Sequence, residues 1–229
     1  IFIIQKQQEI IYKKHPEIKI RDDLFVGRNN EIELLETKLY TAGNYSQIKA
    51  IIVSGRKYIG RRKFLKKFTQ SKLNYTKAPL EIHLQRGESI ENFILQLNDY
   101  LLKYNLKDFA WDTWDKEEKV GVAVELLNAA YKIKQHILIV DDGACIAPSG
   151  SVADWFTDIL TSYDLVKFIG LFVASARTPK SYYIKDRKDC LFIELHPLSE
   201  IDRKNLFYAY AINIGLTDIS KEDAIFWIT

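Results

Sequence analysis

Three near-continuous apolar runs, two of them followed by a helical pattern, restrict this chain more than any other feature. They are AIIV (Ala50 to Val53), HILIV at the head of HILIVDDG (residues 136–143), and the middle of KFIGLFVASAR (residues 167–177). A strand with one wet face alternates apolar and polar residues. A strand that is apolar throughout is buried on both faces, which is the habit of parallel sheets covered by helices. PLEIHL (Pro79 to Leu84) and LFIEL (residues 191–195) read as two further strands. Between the strands, apolar residues recur at helical spacing. Ile32, Leu35 and Leu39 follow a cap at Asn29 or Asn30, and Ile90, Phe93, Ile94, Leu97, Leu101 and Leu102 share one face of Ser89 to Tyr104. Further helices are expected over Arg61 to Leu73, Lys116 to Lys134, Val152 to Tyr163, residues 197–215 with a Ser199 cap, and from Ile219 onward. This alternation predicts an α/β fold, a parallel sheet of about five strands with helices on both faces.

The 229 residues, 47% of them hydrophobic, suffice for one α/β domain or one domain plus part of another. A net charge of +3 is not that of a protein that coats nucleic acid wholesale. Cys145 and Cys190 are too few for a disulfide framework and fit a reducing compartment. No apolar run reaches the length of a membrane span, and the opening IFII is too short for a signal peptide. A cytoplasmic, soluble protein is therefore expected. Residues 1–24 read as a linker or N-terminal extension. The absence of Met, even at position 1, and an ending, DAIFWIT, that falls inside a helical pattern lead us to expect a piece of a longer chain.

SGRKYIGRRKF (residues 54–64) joins the first apolar run to its helix. Its glycines, Gly55 and Gly60, have the spacing of a phosphate-binding loop, GxxxxGK[ST], in the required strand-to-helix context. The glycines let the backbone curl so that N–H groups face phosphate, and the helix N-terminus adds partial positive charge. Where Lys and Ser or Thr belong, this loop carries Arg61 and Arg62. A planar guanidinium is bulkier than an ammonium, and Arg61 is expected not to fold back into the loop. Arg62 has no oxygen to offer a metal, so Mg²⁺-assisted hydrolysis is expected to be weak or absent. Arg56, Lys57, Arg61, Arg62, Lys63, Lys66 and Lys67 form a dense cationic cluster, either a solvated face or an anion site. Asp141 and Asp142 close the apolar strand ILIVDD. They read as a Mg²⁺ ligand and a group that polarises water, or as a simple Asp-Gly turn. Arg177 ends LFVASAR and reads as a γ-phosphate sensor or an exposed loop cation.

Taken in order, these segments resemble the P-loop NTPase modules of the AAA+ and STAND (signal-transducing ATPase) type. FVGRNNEIELL resembles their hhGRxxE box, which packs against adenine and points to Val26, Gly27 and Arg28. LFIELHPLSEIDRKNLFYAYA resembles the strand and first lid helix of STAND and Orc-like ATPases. The resemblance covers about residues 24–229 and departs at the Arg61-Arg62 pair, a degenerate Walker A motif. It implies a three-layer P-loop core over 25–196 and a truncated helical lid from 197 to 229. It also implies ATP or ADP as ligand with Mg²⁺ weakly held or absent, self-association in the full-length protein, and an effector and a sensor outside this chain. The implied role is a nucleotide-binding or pseudo-NTPase switch in signalling or antiviral defence, not an efficient ATPase. Two other classes stay open: a competent ATPase with an atypical loop, and a nucleic-acid-binding module using the basic cluster at 56–67. His15, His83, His136 and His196 lack metal-ligand spacing. Tyr104, Phe109, Trp111 and Trp114 are expected to pack on their own domain, and Cys145 to lie near the site.

Overall fold

The computed structural model describes residues 25–41, 48–105, 109, 111–162 and 169–213. The extension at 1–24 and the helix expected from Ile219 lie outside the described residues. The chain divides into two units, Asn30–His196 and a smaller one to which residues 25–29 and 197–213 belong. The elements in order are α1 (Asn29–Thr41), β1 (Ala50–Gly55), α2 (Arg61–Ser71), β2 (Leu80–Gln85), α3 (Ile90–Leu101), α4 (Lys116–Lys132), β3 (Ile137–Asp142), α5 (Asp154–Ser162), β4 (Leu171–Ser175), α6 (Ser181–Asp186), β5 (Cys190–Leu195) and α7 (Glu200–Asn213). The five strands form one parallel sheet in the order β2-β3-β4-β1-β5.

The expected α/β architecture is present, and the three runs that announced it become its three inner strands. Successive side chains of a strand point to opposite faces, and in β1 both Ile51 and Ile52 are fully buried. Ile52, with Val173 of β4 and Ile139 of β3, joins a core completed by α3, α4 and α5. α2 packs against β1 and β4, burying Phe64, Leu65 and Phe68. Each such phenylalanine contributes roughly 2–3 kcal/mol of transfer free energy.

Boundaries differ from expectation where side chains intervene. The helix foreseen over Ser89–Tyr104 stops at Leu101 because Leu102 adopts a left-handed conformation (φ 49°). Asn98 then fixes the chain beyond, accepting from the Tyr104 N–H at 2.9 Å and donating to its carbonyl at 3.0 Å. α5 starts at Asp154 because Val152 is held in an isolated bridge with Ile146. The short α6, which buries no residue, left no apolar signal to read. The aromatic segment does pack on its own unit, with Phe109 and Trp111 4.8 Å apart and Trp111 and Trp114 5.4 Å apart at the ring centroids.

The free edge of β2 is closed by side chains. Gln96 of α3 accepts from the His83 N–H at 2.9 Å and donates to the His83 carbonyl at 2.8 Å. The Tyr100 hydroxyl donates to the Glu81 carbonyl, and Glu88 accepts from the Gln85 N–H. In the smaller unit, α7 opens on Ser199, whose hydroxyl accepts from the Asp202 N–H at 3.1 Å and donates to its carboxylate at 2.7 Å.

His136, at the mouth of β3, is buried between Tyr75 and Phe172, and its Nε2 has no hydrogen-bond partner. Burial lowers its pKa to about 4 from an ordinary 6.5. The unfolded chain therefore takes up the proton first. The stability contribution of the neutral ring is complete above pH 6.5 and falls away as pH drops toward 4, by roughly 3 kcal/mol in all. Urea midpoints measured across this range are expected to fall less steeply for His136→Phe than for the unmodified chain.

Candidate functional site

β1 is a central strand, so its carboxyl end delivers the glycine loop to the middle of the sheet edge. Parallel register sets Ser54 beside Ser175 on one side and Glu194 on the other, and Asp141 beside Ser175. Here, where open α/β sheets place ligands, lies a cleft of about 320 Å³. Gly55, Arg56 and Lys57 line it from the loop, Asp142 from the end of β3, and Arg177 and Thr178 from the end of β4. Glu194 of β5 completes the wall.

The loop needs both glycines, for different reasons. Gly55 has φ 147°, and a Cβ there would stand 2.7 Å from the Leu195 carbonyl oxygen. Gly60 caps α2 in the left-handed region (φ 96°, ψ 18°), where a side chain is strained although nothing lies within 4 Å. The Ile59 N–H donates to the Arg56 carbonyl and the Phe64 N–H to the Gly60 carbonyl, closing the curl and starting the helix. The first-turn amides of an α-helix have no carbonyl of a preceding turn to bond.

Contrary to expectation, Arg61 folds back into the loop. One of its terminal nitrogens donates to the Gly55 carbonyl and, at 2.7 Å, to the Arg56 carbonyl. A single guanidinium nitrogen carries two N–H groups, enough for two inward-facing carbonyls, and the group's other three remain for a ligand. Burial lowers the Arg61 pKa from its ordinary value, Asp142 and then Asp141 oppose this, and Arg177 adds to it.

Arg62 points elsewhere. It pairs with Glu81 of β2, which also receives Lys66 at 2.5 Å. Burial raises the Glu81 pKa, but the Lys66 hydrogen bond and the charges of Arg62 and Lys66 outweigh it and hold the carboxyl below its usual value. Lys57 pairs with Asp142 at 3.0 Å. Lys57, Arg62 and Lys66 of the cationic cluster are thus matched to carboxylates.

Asp141 is 1% exposed. Its Oδ1 accepts from the N–H groups of Gly143 (3.1 Å), Ala144 (2.8 Å) and Cys145 (2.8 Å). Its Oδ2 accepts from the Ile146 N–H (3.2 Å) and the Ser175 hydroxyl (2.6 Å). A carboxylate has about four lone-pair positions, and these donors fill them. The Asp-Gly turn left open by the sequence is present, with Asp141 as its organiser. Among the described residues no three His, Cys, Asp or Glu side chains group as metal ligands would. Cys145, beside this turn, is fully buried, and burial followed by the Asp141 charge pushes its thiol well above the ordinary value; it is not a reactive thiol.

The structure thus brings together Gly55, Arg56, Lys57, Gly60, Arg61, Asp142 and Arg177, and sets Asp141 behind the cleft and Arg62 beside it. Val26, Gly27 and Arg28 belong to the smaller unit. There Gly27 (φ 76°) lies against Asp202 of α7, with the Asp202 Cγ 3.0 Å from where a Cβ would stand, and Arg28 is buried. Sequence reasoning missed Ser175, Thr178 and Glu194, whose only trace was their place at strand ends.

Neither a protein-family model nor a curated protein matches the sequence. Among solved structures, Cdc6p of Pyrobaculum aerophilum superposes with a TM-score of 0.55 at 14% identity over 90% of this chain. The ORC2 protein of Aeropyrum pernix, in ADPNP-ADP complexes, does so with 0.54 at 12% identity over 89%. This chain has the α/β P-loop NTPase-like fold. It spans 55% and 57% of those two proteins, and identities this low establish the fold alone.

Two substitutions test this geometry by equilibrium denaturation. Asp141→Asn is expected to lower stability by roughly 2–4 kcal/mol, because an amide cannot accept all of these donors. Gly55→Ala is expected to lose roughly 2 kcal/mol or more, from the contact with Leu195 and a disfavoured φ. Values within 0.5 kcal/mol of the unmodified chain, about the size of an ordinary surface change, would contradict both assignments.

Proposed function

We propose that this chain is a nucleotide-binding module of AAA+ or STAND type that holds ADP or ATP by its phosphates and turns it over weakly or not at all. One observation carries the reading. The loop from Gly55 to Arg62 forms a curled cradle between a central strand and a helix, with the Arg61 cation seated inside it. Loop amides, the N-terminus of α2 and the free donors of Arg61 supply what a phosphate chain needs. Arg177, which lines the cleft, is proposed to meet the outermost phosphate. That the A. pernix ORC2 protein, of like fold, was solved in ADPNP-ADP complexes supports a nucleotide as the ligand class.

The groups that would bring Mg²⁺ do not fit that task. Asp141 has its lone pairs filled by backbone and Ser175, and Arg62 stands where a hydroxyl would and is bound to Glu81. No hydrolytic step is therefore assigned to the chain. The proposed role is a switch or assembly unit in a longer protein: nucleotide state sets the position of the 197–229 segment, and that position governs self-association. Val26, Gly27 and Arg28 are proposed to meet the base. An attached effector and a sensor, and a part in signalling or antiviral defence, complete the proposal. A nucleic-acid reading of residues 56–67 loses support because Lys57, Arg62 and Lys66 already have carboxylate partners.

Calorimetric titration with ADP and ATP is the test. Binding is expected in EDTA with affinity within about twofold of that in Mg²⁺. Arg61→Ala is expected to weaken it about tenfold, the equivalent of about 1.4 kcal/mol. Mg²⁺-dependent turnover abolished by Asp142→Ala would replace this reading with the ATPase one, and no binding in either condition would end it.

A further inference from the structure

We infer that Asp142 is a built-in competitor for the phosphate site: its carboxylate holds Lys57 across the cleft, and an incoming phosphate must displace it. The inference rests on the phosphate-cradle reading above and adds a regulatory contact to it. Lys57 belongs to the loop after β1, and Asp142 ends β3. β4 lies between those strands, so the 3.0 Å ion pair crosses over the end of β4, where Arg177 and Thr178 form the cleft wall. Both partners line the cleft and both remain open to solvent, with Lys57 59% and Asp142 45% exposed. A pair so exposed is weak, which suits a contact that has to open.

The two carboxylates at the end of β3 are therefore not equivalent. Asp141 is saturated by donors, whereas Lys57 is the hydrogen-bond partner found for Asp142. The Asp142 hydrogen bond, and then its charge, raise the Lys57 pKa, so the ammonium stays charged and available to whichever anion wins it. A phosphate that takes Lys57 leaves Asp142 as an unmatched negative charge beside it, with Glu194 also lining the cleft. Arg56, Arg61 and Arg177 then offset that repulsion. The latch thus sets a threshold of anionic strength: a weak single anion does not open it, and a linked phosphate chain engaging several cations does.

The experiment is a calorimetric titration with sodium pyrophosphate in EDTA. It compares the unmodified chain, Asp142→Asn, Asp142→Ser, Lys57→Gln and the Lys57→Gln/Asp142→Asn pair. Both Asp142 variants are expected to bind about fivefold more tightly, and Lys57→Gln more weakly. In the Lys57→Gln background the gain from Asp142→Asn is expected to be smaller, because direct repulsion of the anion remains while the latch does not, the coupling a double-mutant cycle reports. Detectable binding by the Asp142 variants alone would support the latch in its strongest form. If the unmodified chain binds and Asp142→Asn binds no better, or gains equally with and without Lys57, the latch is overturned and the cradle stands. If neither the unmodified chain nor either Asp142 variant binds pyrophosphate, the cradle reading falls and the latch with it.

Discussion

A single buried carboxylate organises the working edge of this sheet. Asp141 gathers four consecutive backbone N–H groups and one serine hydroxyl, and so ties the end of β3, the turn after it and the end of β4 into one rigid piece. An unpaired charge so deep would be prohibitive, and removing its partners one at a time leaves a desolvated group without compensation. Pairing it with backbone dipoles rather than with a cation leaves the neighbouring cations free for the cleft. Asp142, Arg177 and Thr178 therefore project from a fixed base.

The same economy runs through the basic loop. Seven cations lie between residues 56 and 67, and read as a string they suggest a broad positive face. Folding sorts them. Glu81 takes Arg62 and Lys66, Asp142 takes Lys57, and Arg61 turns inward to the loop carbonyls. What remains toward the cleft is a local contrast of charge rather than a uniform field.

Much of the architecture was legible because burial on both faces leaves a strong trace. AIIV, HILIV and the run ending LFVAS became β1, β3 and β4, and each spacing of glycine, aspartate and arginine at their ends pointed to the same sheet edge. What escaped was set by side-chain contacts that no periodicity encodes. Leu102 turned left-handed and ended α3 early, with Asn98 holding the chain beyond, and the inward turn of Arg61 depended on carbonyls whose orientation only the folded loop reveals. Likewise Asp141 and Asp142 look alike in sequence, and only the turn that follows assigns one to the interior and the other to solvent.

Gln96 clips both polar groups of His83 on the outer side of β2, with Tyr100 and Glu88 beside it. An edge so occupied offers no template to an arriving strand, since each new ladder bond would first have to break a side-chain bond of equal worth. Growth of the sheet from molecule to molecule is closed on that flank. A contact between copies on that flank would have to run through helices and loops rather than through a β-ladder.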